Sequence, residues 1–211
     1  NKLVEGMKLY EEAGVDFEEI NESCPNTSHG KPQDDDVARR LGYIAENFLK
    51  VRKRRLPVVV KFSNDTDPSQ VRPLLDLLFN LGYDGINFGN TSNDYKRRRL
   101  AISPSERNLY DFFTTDKDRF GVGGGVSGRP LKEDSLLLSA MAVRHIKLGG
   151  PKQEFHVIRT GGIENAEDLI QSDAVGVSMN QWFTGRWAAF AKYGHGSYRK
   201  IHEEYIKRKT A

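Results

Sequence analysis

A single cysteine, Cys24, in 211 residues leaves no partner for an internal disulfide and no second thiolate for a Cys-x-x-Cys cluster. That scarcity fits a reducing, cytosolic (cytoplasmic) setting. Long apolar runs are missing too: none approaches the roughly 20 residues a membrane-spanning helix requires, so no membrane span is expected. There is no strong excess of one charge. A net charge of +3 is too small to point to nucleic acid. The basic runs from Lys50 to Arg55 and from Lys96 to Arg99 come without an aromatic stacking platform, and each reads as a solvated helix or loop face. No fixed-period repeat and no low-complexity stretch occurs. The sequence opens Asn1-Lys2-Leu3 without methionine, which reads as a fragment or processed piece and not as a secretory precursor.

What is present suits a globular domain: 37 % hydrophobic and 29 % charged residues over a length that can bury one real core. Leu3, Val4, Met7 and Tyr10 predict a helix over residues 2–13, with Gly14 as its C-cap. Residues 16–23 read as a strand, although Glu18, Glu19 and Glu22 are unusual in a strand covered on both faces. A helix follows over 37–51, then the apolar strand 56–62, interrupted by Lys61. Asp67-Pro68-Ser69-Gln70 carries the signature of a helix start, an N-cap acid followed by proline, and Gly82 ends that helix. Residues 83–89 form the next strand, and 93–120 read as a long loop with a short helical stretch near 107–113. Then come a glycine-rich segment at 121–128, a helix over 130–148, a strand over 155–160, a short helix over 165–171, a strand over 174–178, and helix from Trp182 to near Lys207, broken around Gly194 and Gly196.

Strand and helix alternate five times, which calls for a parallel sheet with right-handed crossovers. A doubly wound sheet places its phosphate loop after the first strand. Here the glycine-rich segments come late, as in the phosphate site of (β/α)8 barrels, built after strands 7 and 8. Such a TIM barrel needs about 250 residues. The expected fold is therefore α/β, with residues 1–211 forming the C-terminal part of a (β/α)8 barrel, strands 4–8. Five strands alone would leave unpaired edges. The first three are expected from the same or another polypeptide.

Polar residues gather at the predicted strand ends: Asn21, Cys24, Asn26, Lys61, Asn90 and Thr91, with glycines at 124–125 and 161–162. In a barrel all would face the same end. Singly, a strand cysteine is usually a small buried hydrophobe and a strand lysine usually reaches out to solvent. Their joint occurrence at consecutive strand ends argues for a site.

The run Asn21-Glu22-Ser23-Cys24-Pro25-Asn26, followed by Gly30-Lys31-Pro32-Gln33, resembles the active-site loop of class 1 dihydroorotate dehydrogenases, and the resemblance extends over nearly the whole chain. It implies oxidation of dihydroorotate to orotate in pyrimidine biosynthesis, with FMN as cofactor and Cys24 as the catalytic base. By the same resemblance Asn21, Asn26 and Asn90 bind the pyrimidine. Lys61 and Thr91 lie at the flavin, where Lys61 stabilises negative charge on the reduced ring. Gly124, Gly125, Ser127 and Gly128 look like one phosphate segment, and Gly161 and Gly162 like a second. Ser178 and Met179 take the place of a hydroxyl-bearing pair beside the phosphate. Gly30-Lys31-Pro32-Gln33 looks like the fumarate-using class and Gly-Gly-Val-Ser-Gly-Arg-Pro-Leu like the quinone class, so the acceptor stays open. A homo-oligomer is also expected. The alternatives are a related dihydropyrimidine dehydrogenase acting on uracil or thymine, and a non-catalytic phosphate-ligand-binding barrel.

Overall fold

Side-chain alternation along the strands decides which way the sheet faces. The computed structural model describes residues 2–22, 36–115, 124–151 and 153–210. Its strands are β1 (Glu18–Asn21), β2 (Val58–Ser63), β3 (Gly85–Asn90), β4 (His156–Thr160) and β5 (Met179–Gln181). They lie side by side in sequence order, every neighbouring pair parallel. On one face Ile20, Val58, Val60, Phe62, Ile86, Phe88 and Val157 belong to the main hydrophobic core. On the other face the register sets Asn21 beside Lys61 and Lys61 beside Asn87. Helix residues such as Leu41, Leu75 and Leu138 share the core with the apolar side, as in a barrel wall whose other face turns inward.

The helices follow their sequence signals. α1 (Lys2–Ala13) ends at Gly14, which has φ +80°. α2 (Asp36–Ile44) buries Leu41 and Ile44, and a π-helical turn over Ala45–Leu49 prolongs it. Asp67 caps a 3-10 turn over Pro68–Gln70, accepting from the Ser69 amide at 2.8 Å, and leads into α3 (Val71–Leu81). Gly82, at φ +82°, closes α3. α6 (Lys132–Gly149), reached through a 3-10 turn at Arg129–Leu131, packs Leu138, Ala142 and Val143 into the same core.

Two expectations are corrected. The segment 93–120, read as a long loop with a short helical stretch near 107–113, holds an unexpected helix, α4 (Tyr95–Arg99), ahead of α5 (Arg107–Thr115), which falls where that stretch is expected. Asp94 caps α4 by accepting from the Arg97 amide at 3.0 Å. The basic run on α4 is not a solvated face throughout, because Arg98 is buried and ion-paired to Asp65 and Asp134. The strand predicted at 174–178 is displaced. Helix α7 (Ala166–Val175) runs through Val175 and stops at Gly176, whose φ of +93° lets its amide bond the Ser172 and Asp173 carbonyls. Only then does the chain extend into β5. α8 (Thr184–Tyr193) and α9 (Ser197–Lys209) end the described chain, separated by a 3-10 turn at Gly194–Gly196.

Candidate functional site

The C-terminal ends of β2, β3, β4 and β5 open on one cavity of about 610 Å³. Lys61 from β2, Gly89 and Asn90 from β3 with the following Thr91, Thr160 from β4 and Gln181 from β5 line it. So do Ser127, Gly128, Gly161, Gly162 and Thr184. Residues far apart in sequence meet here because parallel strands carry all their C-terminal ends to the same edge.

An irregularity in the β2–β3 ladder at Phe62/Ser63 re-aims the chain leaving β2. Asn64 then donates to the Asn90 carbonyl at 2.9 Å and to the Thr160 carbonyl at 3.2 Å, tying three strand ends together. The Asn90 amide donates to Asn21 Oδ1 at 2.8 Å, so these two predicted substrate ligands sit side by side. Beneath them, Glu19 accepts from Lys61 Nζ at 2.7 Å and from Asn87 at 2.6 Å. Thr160 donates to Asn87 Oδ1 at 3.0 Å.

At the glycine end, three segments converge. Gly128 (φ +79°) precedes the 3-10 turn into α6, and Gly161 (φ +125°) and Gly162 (φ +71°) follow β4. Thr184 and Gly185 open α8, and Thr184 donates to Ser127 Oγ at 2.8 Å. Turned glycine amides, two hydroxyls and the N-terminal ends of α6 and α8 form a donor set suited to an oxyanion. Lys61 lines the same cavity and can face the negative charge of a ring system.

Behind β4, Arg159 braces Ser135, whose hydroxyl donates to the Gly161 carbonyl at 2.7 Å. The arginine is fully buried and donates to Ser135 Oγ at 3.0 Å, to Ser172 Oγ at 2.9 Å and to the Lys132 carbonyl at 3.0 Å. Burial pushes its guanidinium down to about 10, with the Asp168 carboxylate pulling the other way. Asp168 in turn pairs with Lys132 and accepts from the Glu164 amide at 2.8 Å. Glu22, at the end of β1, is held by Arg40 of α2 at 2.8 Å.

The structure gathers Lys61, Asn90, Thr91, Ser127, Gly128, Gly161 and Gly162 around one cavity. Cys24 and Asn26 lie outside the described residues. Gly124 and Gly125 line a neighbouring cavity with Tyr95 and Phe113, on the other side of Ser127. Ser178 and Met179 are not among the residues that line this cavity. Ser178 starts the β4–β5 ladder through its amide to the Val157 carbonyl, and Met179 pairs with Ile158, two residues before the Thr160–Gln181 level. A second hydroxyl at the glycine end, besides that of Ser127, comes from Thr184, which the sequence reading missed. Its signal was Phe183-Thr184-Gly185 directly ahead of a helix. Glu19, Asn87, Thr160 and Gln181 were missed as well, and the two-residue spacing of Glu19 from Asn21 was the available clue.

Fold and site together define a (β/α)8-type barrel portion with a cavity at its C-terminal face. A family model described as dihydroorotate dehydrogenase matches residues 2–208, and the chain belongs to that family. The family consists of FMN-dependent oxidoreductases. Among curated relatives, a dihydroorotate dehydrogenase (quinone) of Streptomyces griseus is 28 % identical over 94 % of this chain and 49 % of its own length. One of Acidovorax sp. is 31 % identical over 81 % of this chain and 44 % of its own. The chain thus spans about half the length of the curated relatives it matches. Among solved structures, the ligand-free enzyme of Eimeria tenella superposes with a TM-score of 0.71 at 22 % identity, over 95 % of this chain and 53 % of that one. That likeness bears on the fold. Among the described residues no helix is long and apolar enough to cross a membrane.

Proposed function

We propose that the chain carries the substrate- and FMN-binding C-terminal part of a barrel that oxidises dihydroorotate to orotate. The convergence of Lys61, Thr91, Asn90 and the two glycine segments on one cavity supports it best. Ser127, Gly128, Gly161, Gly162 and Thr184 would hold the FMN phosphate, and Lys61 and Thr91 would lie at the ring. Bound there, FMN supplies the two-electron acceptor for hydride from C6 of the substrate.

The chain's own residues do the rest. Asn21, Asn26 and Asn90 orient the pyrimidine through their amides. Cys24, as thiolate, takes the proton from C5 while the hydride leaves C6, and orotate keeps the new C5–C6 double bond. A thiol with a free pKa of about 8.5 can accept and release that proton near neutral pH. The open edges of β1 and β5 would be paired by the strands of the remaining barrel, contributed by the same or another polypeptide, and the assembled protein would be a homo-oligomer. The lone cysteine suits a cytoplasmic setting.

The test is spectroscopic. The full-length protein carrying this sequence should be yellow, and anaerobic dihydroorotate should bleach it while dihydrouracil does not. Cys24→Ala should keep the flavin spectrum and slow the bleaching by about 10²-fold or more, the scale of a lost general base. Unchanged bleaching in Cys24→Ala would sink the assignment of the base. A colourless protein would sink the whole reading. Reoxidation by a short-chain quinone or by fumarate identifies the acceptor.

A further inference from the structure

The polar face of the sheet holds a carboxylate, Glu19, bonded to side chains from three other strands. Glu19 Oε1 accepts from Lys61 Nζ at 2.7 Å, and Oε2 accepts from Asn87 Nδ2 at 2.6 Å and Gln181 Nε2 at 3.1 Å. Its two oxygens therefore reach from β1 to β2, β3 and β5, the last contact spanning 162 residues of sequence. Those partners are themselves fixed: Asn87 donates to Gln181 Oε1 at 3.1 Å, and Thr160 donates to Gln181 Oε1 at 3.0 Å. Glu19 and Lys61 are both mostly covered, with side-chain exposures of 15 % and 21 %.

An ion pair in such a place adds little to stability, because desolvating both charges offsets their attraction. An apolar pair of equal volume would close the layer as well. What the carboxylate does that an apolar residue cannot is electrical and geometric. It holds the Lys61 ammonium in one position beside the cavity and cancels part of its field there.

We propose that Glu19 is the positioning residue for Lys61, and that it lowers the site's preference for the reduced, anionic flavin over the oxidised one. The inference rests on the functional reading above for the identity of the ligand. The Glu19–Lys61 contact stands apart from it. With Glu19 neutral, the ammonium loses this counter-charge and binds the reduced form more tightly. With the carboxylate present, that bias is damped and electrons pass onward more readily.

The experiment is a spectroelectrochemical titration of the FMN-loaded full-length protein, unmodified and as Glu19→Gln. The expected result is a tenfold or larger gain in affinity for reduced over oxidised flavin, which for a two-electron couple is a rise in midpoint potential of about 30 mV. The same substitution placed on Lys61→Met should give a clearly smaller rise, since the positioning effect works through the ammonium and only the carboxylate's own field is left. Glu19→Asp, which keeps the charge one methylene further back, should fall between, and it serves if Glu19→Gln does not fold. A flavin-independent arm labels amines with acetic anhydride: Lys61 should react several-fold faster in Glu19→Gln and in Glu19→Asp than in the unmodified protein, with exposed Lys50 as internal reference. An unchanged potential, an equal rise without Lys61, or unchanged Lys61 labelling overturns the proposal. If the unmodified protein takes up no flavin, the functional reading fails instead, and labelling alone decides the role of Glu19.

Discussion

Arg98 and Asp65 form an ion pair of 2.6 Å in which the arginine is almost wholly buried. Arg98 also meets Asp134, donates to Ser92 Oγ at 2.8 Å and reaches the Asn64 carbonyl at 3.2 Å. Ser92 in turn exchanges backbone hydrogen bonds with Val126, at 3.0 and 2.7 Å. One side chain of α4 therefore clamps the ends of β2 and β3 to the segment that carries Ser127 and Gly128. Arg98→Ala leaves Asp65 uncompensated in a largely covered place and should cost about 3–5 kcal/mol, the scale for breaking a buried pair. Urea unfolding at constant m-value checks the cost.

Glu18 lies at the opposite end of β1, buried against α1. Burial first, and then the Glu11 carboxylate, push its carboxyl up to about 7, with Arg54 opposing. The folded state therefore holds a proton that the unfolded state releases near pH 4.5. Its penalty is absent below about pH 4.5, grows as pH rises through about 7, and is constant above that. Stability should fall over this window. Glu18→Gln should remove that slope and stabilise the protein at pH 8 by about 1–2 kcal/mol, a value reduced for solvent screening. Thermal melts at pH 5 and 8 of both proteins measure it. Equal slopes in the two would contradict the assignment.

The strand–helix order was readable because its signals are local. Gly14 and Gly82 end helices where the sequence says they should, and Asp67 caps its turn. The last strand was misplaced because Ala174 and Val175 are as good in a helix end as in a strand. Only the capping contact of Gly176 with Ser172 settles which. Lys61 stood out as a charge inside an apolar run. Glu19 stood out only as an odd acid in a strand, and its role was hidden because its partners Asn87 and Gln181 come from distant strands. Arg98 looked like one of four surface cations because the acids that bury it lie on other elements.

Gly162 tests how tightly the second glycine pair is built. It has φ +71°, and a Cβ there would sit 2.4 Å from the Cα of Lys132. That neighbour is backbone at the start of α6, so it cannot swing aside. Gly162→Ala should lose at least about 2 kcal/mol from left-handed strain and overlap together. Gly124 is not among the positive-φ glycines, and no atom of the described residues lies within 4 Å of the corresponding position. Gly124→Ala should therefore stay within about 0.5 kcal/mol of the parent. Matched unfolding curves of the two variants make the comparison, and similar losses would mean that the glycine run matters through chain flexibility instead of close packing.

Thr184 offers the sharpest separation of binding from folding. Its hydroxyl sits on the cavity, bonded to Ser127 Oγ at 2.8 Å, at the first turn of α8. Thr184→Val keeps the shape and the methyl that packs at Gly128, while removing the donor. If this end of the cavity holds a phosphate dianion, the lost bond is one to a charged group, worth about 1.5–3 kcal/mol, and FMN should bind about 10- to 100-fold more weakly. The melting temperature without ligand should hardly change. Riboflavin, which has the ring but no phosphate, should bind both proteins alike. An equal loss for FMN and riboflavin would place Thr184 at the ring and move the phosphate elsewhere.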